Sequence, residues 1–408
     1  MKLLSIIAEY NPFHNGHEYH LITSLRESQA THCMAIMSGS FLQRGEPALV
    51  DKWTRSRIAI KNGIDLIVEL PFIYSCQSAE VFAYGAISTL DALNIVDVIS
   101  FGSETPHLDK IAQIASLLTH EPQKYKSLLK DYLDKGISYA KARQYAVEKY
   151  LEDPSGLLAH PNNILAIEYM KWLYSLNSKI SPITVERAHA GYHQLNEINN
   201  FAGATYIRNQ IQQSDKVSPI KSLLPKATFE ELSQYEQRGN KYQFLDEYYT
   251  LLVGELLKTS KESLRKIFDV NEGLENRILK ASVNSANMDE LLQQITSKRY
   301  AQTRIKRILM NFLMDHTENM VYKFFKNSEY RPYLRVLAFN RKGKEILKEI
   351  KTKSEIPIIT NLSKDLSSLD SIQKYALNKD IISTNYYDLI GGKTKLNDDF
   401  RRKPEILL

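Results

Sequence analysis

Four short apolar runs in the first half of the chain constrain its fold more than any other feature: "KLLSIIA", "HCMAIMSG", "IDLIVELP" and "VDVISFG". Each has the length and apolar character of a buried strand. Between them lie "GHEYHLITSLRESQA", "LVDKWTRSRIAIKNG" (closed by Gly63) and "SAEVFAYGAISTLDAL", each long enough for a helix. Strands separated by helices of this length require right-handed crossovers and pair in parallel. The first half therefore reads as an α/β domain, a doubly wound parallel sheet of Rossmann-like type. In such a sheet, ligands bind at the carboxyl edge of the strands.

With 408 residues the chain exceeds one typical core. Residues 1–216 are expected to form the sheet domain, with a helical insertion at about 106–176 covering the site before a fifth strand in "SPITVERAHA". "GATYIRNQIQQ" opens another helix. Residues 217–408 read as a second, mainly helical domain: "FEELSQYEQ", "FLDEYYTLLVGELLK" and "MDELLQQITSKRYAQTRIKRILMNFLM" are helix-like, while "YLRVLAFN", "IPIITNL" and "DIISTNYYDLI" look like strands. A net charge of +6 permits a polyanionic partner without requiring one. Cys33 and Cys76 sit among apolar or small residues, as buried free thiols of a reducing compartment would. The apolar start of "MKLLSIIAEY" is too short for a signal peptide, and no run approaches the ~20 apolar residues of a membrane helix. The expectation is a soluble cytoplasmic protein, with no membrane association.

The chemistry-bearing stretch follows the first strand: "AEYNPFHNGHEYH", Ala8 to His20. Asn11-Pro12 marks a turn and Gly16 stands where a helix begins. His14 and His17, three apart across Gly16, can aim both imidazoles at one point, together with backbone N–H groups. That suits a triphosphate, held by helix-end amides while the histidines donate to the α-phosphate. A polar turn with two surface histidines fits the same residues, and so does half of a zinc site whose other ligands are not evident.

Asn11-Pro12-Phe13-His14-Asn15-Gly16-His17 resembles the H-x-G-H signature of the nucleotidyltransferase superfamily, with Ala8 and Tyr10 replacing its first glycine and aromatic. Together with "SGSFLQRGEPALVDKWTRSRIAI", "VELPF", "SFGSE", "PNNILA" and "KRYAQTRIKRILM", it resembles the bacterial tRNA(Met) cytidine acetate ligase family over most of the chain. The resemblance implies an ATP-dependent ligase. ATP and acetate would form acetyl-adenylate and pyrophosphate, and acetyl would pass to the wobble cytidine of elongator tRNA(Met), giving N(4)-acetylcytidine. It implies catalytic roles for His14 and His17 as stabilisers of the transition state at the α-phosphorus. It implies ATP contacts along the first loop: Ile7, Ala8, Glu9, Tyr10, Asn11, Pro12, Phe13, His14, Asn15, Gly16, His17, Glu18, Tyr19 and His20. By the same match Gly102, Asn162 and Arg187 would touch the nucleotide. Outside the family, these three read as a turn glycine, a helix N-cap and a surface arginine. Thr205 and Arg208 in "GATYIR" resemble the second superfamily signature and would meet the phosphates, with Gly203-Ala204 replacing its first hydroxyl residues. Charge neutralisation leads us to expect Mg2+ with the ATP, although no protein metal ligand is evident.

Lys298, Arg299, Arg304, Lys306 and Arg307 form a run with no acid between its ends. On one continuous helix, Tyr300, Arg304 and Arg307 would share a face able to track phosphates and stack a base. A solvated basic helix has the same pattern; the resemblance assigns the run to tRNA. Two other functions remain compatible with the residues: a small-molecule adenylyltransferase, and a non-catalytic tRNA-binding protein that retains a nucleotide fold.

Overall fold

The computed structural model describes residues 1–105, 107–187, 200–325 and 331–407. The four apolar runs are strands: β1 (Leu3–Ala8), β2 (His32–Ser38), β3 (Leu66–Leu70) and β4 (Val98–Ser103). With β5 (Ser181–Glu186) they pair in parallel in the order β5-β4-β1-β2-β3. Alternate side chains point to opposite faces, and both faces are covered. Leu3, Met34, Ile36, Leu66 and Val68 face one core, whereas Leu4, Ile6, Cys33, Ala35, Met37 and Ile67 face another. Cys33 and Cys76 are buried free thiols, as expected. Among the described residues no helix is long and apolar enough to cross a membrane.

The helices of the first half are α1 (Asn15–Ser28), α2 (Lys52–Lys61), the single turn α3 (Phe72–Ser75), α4 (Ala79–Ala92), α5 (Leu108–His120), α6 (Gln123–Asp134), α7 (Tyr139–Leu151), α8 (Pro161–Ser175) and α9 (Ala204–Ser214). The expected insertion is helical but does not lie over the site as a cover. Ile111, Ile114 and Leu118 of α5 and Ala146 and Val147 of α7 join the core that α4 and α8 build on one face of the sheet. Burying those apolar stripes draws the helices onto the sheet, and the start of α8 meets Glu104 at the carboxyl end of β4.

Three expectations for the second half need correction. The boundary at residue 216 does not divide the sheet: β6 (Leu334–Phe339) pairs antiparallel with β3, and β7 (Ile358–Ile359) and β8 (Glu405–Ile406) pair in parallel along the outer side of β6. "DIISTNYYDLI" lies within the helix Ser371–Ile390, where Ala376, Leu377, Asp380, Ile381, Thr384, Tyr387 and Asp388 are buried at helical spacing. Tertiary packing on that stripe overrides the strand preference of its β-branched residues. The long helix expected to carry the basic run is two, Met288–Ile295 and Gln302–Leu313, separated by a turn in which Ser297 and Tyr300 exchange backbone hydrogen bonds at 3.1 Å.

Candidate active site

β1 stops at Ala8, and the next residues turn sharply before α1. Asn11 Oδ1 accepts from the backbone N–H of Leu49 at 2.7 Å, which ties the turn to the loop after β2. His14 is the N-cap of α1: its Nδ1 accepts from Gly16 N at 3.0 Å, while His17 Nδ1 accepts from His14 N at 3.3 Å. This reciprocal cap satisfies two of the orphan amides at the helix start. The ring of His14 lies directly over Gly16, where a Cβ would come within 2.8 Å of its Cε1. The two imidazole centroids are 3.9 Å apart, and Tyr10 and Phe13 pack their rings against His17.

The cap fixes the chemistry of both rings. An Nδ1 that accepts a hydrogen bond carries no proton, so a neutral ring bears its proton on Nε2. Burial, aided by Arg187 and Arg208, holds the pKa of His14 down to about 3. Burial, with the neighbouring His14 and Arg187, also holds His17 well below the ordinary imidazole value. Neither Nε2 has a hydrogen-bond partner among the described residues. At neutral pH the loop thus offers two uncharged Nε2–H donors beside the amino end of α1. His20 differs: its Nε2 meets Ser100 Oγ at 3.0 Å, and Ser100 meets Ser24 Oγ at 2.7 Å, so its ring braces α1 against β4.

The structure brings the other expected residues to the same edge. Arg208 on α9 donates to the carbonyl of Asn11 at 3.1 Å and to Thr205 Oγ1 at 3.4 Å. Arg187, just beyond β5, donates to Asn162 Oδ1 at 3.2 Å, and its stem crosses Gly102, where a Cβ would lie 3.2 Å from Arg187 Cγ. The bare backbone of Gly102 thus admits the arginine. Asn162 sits in the first turn of α8, where its side chain bridges Arg187 and Glu104 Oε1, the latter at 2.6 Å. Ile7 and Ala8 belong to β1. Asn15 uses its amide to hold the carbonyls of Asn200 and Ser222, Glu18 lies in the first turn of α1, and Tyr19 is exposed beside Phe201.

Two groups escaped sequence reasoning. Arg55 is buried in α2 and, among the described residues, donates only to backbone carbonyls: Glu9 at 2.8 Å, Ser38 at 3.0 Å, Val50 at 3.2 Å, and Gly39. It staples the carboxyl ends of β1 and β2 together. Nothing in "DKWTRSRIAI" distinguishes it from Arg57, which pairs with Glu231 and Glu405. Glu46 is the second: it meets Lys306 at 2.6 Å and Arg208 at 3.6 Å, joining the site to the helix Gln302–Leu313. That helix packs so closely on the loop after β2 that a Cβ on Gly45 (φ +75°) would lie 2.4 Å from Arg307 N.

The expected basic face is therefore only partly open. Lys298 is exposed and has no ion pair among the described residues. Arg299 pairs with Glu272 at 2.5 Å in the open, and Arg304 clasps Asp269 through two bonds of 2.8 and 2.7 Å. Arg307 is half-buried. Tyr300 is buried, with its hydroxyl against Asn271 and Glu272, so it does not present a ring for a base to stack on. Acids distant in sequence neutralise a run that contains none of its own. Among the described residues no group of three or more His, Cys, Asp or Glu side chains forms a metal cluster.

The profile of the HIGH Nucleotidyl Transferase family matches residues 1–401. A protein of Thermoanaerobacter sp. (strain X514) named tRNA(Met) cytidine acetate ligase is 44% identical over 391 residues, covering 95% of each chain. One of the same name from Clostridium tetani is 40% identical over 410 residues, covering 99% of each. The crystal structure of Thermotoga maritima TmcAL bound with alpha-thio ATP superposes with a TM-score of 0.93 at 31% identity, covering 100% of both chains. The apo form of that protein gives a TM-score of 0.95.

Proposed function

The chain belongs to the HIGH nucleotidyltransferase family and, within it, to the tRNA(Met) cytidine acetate ligases, and from that premise we propose that it acetylates the wobble cytidine of elongator tRNA(Met) through acetyl-adenylate. An acetate oxygen attacks the α-phosphorus of ATP, and pyrophosphate leaves. The exocyclic amine of the cytidine then attacks the acetyl carbon, AMP departs with the electrons of the broken C–O bond, and the nitrogen loses a proton.

The observation that carries this reading is the reciprocal histidine cap. The Nε2–H groups of His14 and His17, uncharged and without a hydrogen-bond partner among the described residues, are the donors we assign to the α-phosphate oxygens, which gain charge as acetate adds. Neutral donors stabilise that charge without holding the ground-state triphosphate equally tightly. Arg187 and Arg208, both close enough to influence His14, compensate the remaining phosphates, and Gly102, Asn162 and Thr205 complete the rim. Mg2+ would accompany ATP as its counter-ion; the described residues offer it no three-ligand cluster, so no step is assigned to it. We assign the tRNA to the second half of the chain. Lys298 and Arg299 are its open cations, while in the supporting helix Lys306 is tied to Glu46 in the loop after β2 and Arg304 to Asp269. Work on such a tRNA places the protein in the cytoplasm.

Incubation with ATP, acetate and unmodified tRNA(Met), followed by nucleoside mass spectrometry, tests the reading. One acetyl group should appear on cytidine, and only when both ATP and acetate are present. Acetylation supported by acetyl-coenzyme A alone would refute it, and transfer of AMP to a small phosphomonoester would favour an adenylyltransferase.

A further inference from the structure

Acylating an amine makes a demand that adenylating acetate does not: a base must take the proton that the nitrogen loses. The histidines are excluded by their own cap, because each Nδ1 is committed to a backbone N–H and each Nε2 carries the proton. Glu104 is occupied at the start of α8, where Oε1 accepts from the backbone and side chain of Asn162 and Oε2 accepts from Asn163 N at 2.9 Å. Glu46 is ion-paired; although burial opposes it, Arg208 and Lys306 keep its carboxyl below the usual range.

Glu9 remains. It follows β1 directly, and its Oε1 accepts from the backbone N–H of Gln43 at 2.7 Å. Its Oε2 has no hydrogen-bond partner among the described residues and is not among the sealed, unsatisfied polar atoms. Arg208 donates to the carbonyl of Asn11, two residues beyond Glu9 in the same loop, at 3.1 Å, and its charge acts on both Glu9 and His14, so the carboxylate and the histidine loop share one guanidinium as a neighbour. Resting on the acetyl-adenylate reading, we propose that Glu9 Oε2 receives the exocyclic amine of the target cytidine, first as hydrogen-bond acceptor and then as the base for acetyl transfer. The N4 lone pair forms the new C–N bond. The bond between the acetyl carbon and the phosphate oxygen breaks with its electrons going to AMP. The N4 proton moves to Oε2 and from there to water.

Burial raises the Glu9 carboxyl above its ordinary value, which makes it a better proton acceptor than a solvated glutamate. The same oxygen selects the base. Cytosine presents an amine donor at this position, whereas uracil presents a carbonyl whose lone pairs oppose a carboxylate.

Glu9→Gln tests this, because the amide keeps an oxygen for Gln43 N and nearly the same volume. Two rates are compared: acetate-dependent ATP–pyrophosphate exchange in the presence of tRNA(Met) carrying uridine at the wobble position, and single-turnover acetyl transfer to the natural tRNA. Both rates are read because Glu9 belongs to the ATP loop, and the loss in transfer should exceed the loss in exchange by about tenfold or more. Equal losses, or undiminished transfer, would overturn the proposal. Glu9→Asp, which keeps a carboxylate on a shorter arm, should transfer faster than Glu9→Gln, and the reverse order would also overturn it. Absence of acetate-dependent exchange in the unaltered protein would instead refute the acetyl-adenylate reading.

Discussion

Among the described residues four imidazoles, His14, His17, His20 and His316, are held uncharged by burial, and their titration makes a prediction at the residue scale. Burial pushes His14 and His316 from 6.5 down to about 3, and His20 down to about 4. In the unfolded chain each takes up a proton near 6.5, whereas in the fold each resists protonation until the pH is far lower. Stability from these groups is therefore complete above about pH 6.5 and is lost as pH falls toward 3–4. Denaturant unfolding at pH 7 and pH 5 should show a clear loss at pH 5, a smaller one in His316→Gln. Equal stability at the two pH values would contradict the burial argument. The histidine pair itself was legible in the sequence, because a turn and Gly16 precede helical spacing. The Nε2 tautomer was not, since it follows from which backbone amides each Nδ1 meets.

At the scale of elements, the join between the halves rests on a buried ion network. Lys52 of α2 contacts Glu69 of β3 and Asp399 near the carboxyl end, each at 2.8 Å, and Arg335 of β6 meets Asp399 at 2.9 Å. All four side chains are nearly inaccessible, so removing one partner leaves an uncompensated charge. Lys52→Ala should cost about 3–5 kcal/mol of unfolding free energy, measured by urea denaturation; a loss below about 1 kcal/mol, the level of a surface pair, would show that the network is not sealed. The sequence revealed β1 to β4 through their length and apolar content. It missed the junction because "RVLAF" reads equally well as a strand of a separate domain. Likewise, Tyr300 looked like a stacking ring on a basic helix until the turn at Ser297–Tyr300 took it out of that helix.

Over the whole molecule, the ATP edge and the basic helix form one surface. Glu46 links Lys306 to Arg208, and Arg208 reaches the carbonyl of Asn11 in the histidine loop. The α/β class could be read from periodicity and the first loop from its resemblance to the H-x-G-H signature, but this closure depends on Gly45 lying against Arg307, a contact between residues far apart in the chain. The central proposed event is attack by acetate on the α-phosphorus of ATP, with His14 and His17 as its proposed donors. Turnover with acetate labelled by 18O in both oxygens, together with ATP and tRNA(Met), tests that event most directly by mass spectrometry of the released AMP. One 18O should appear in AMP per acetyl group transferred, with none in pyrophosphate. Unlabelled AMP, or ADP and phosphate in its place, would contradict the account.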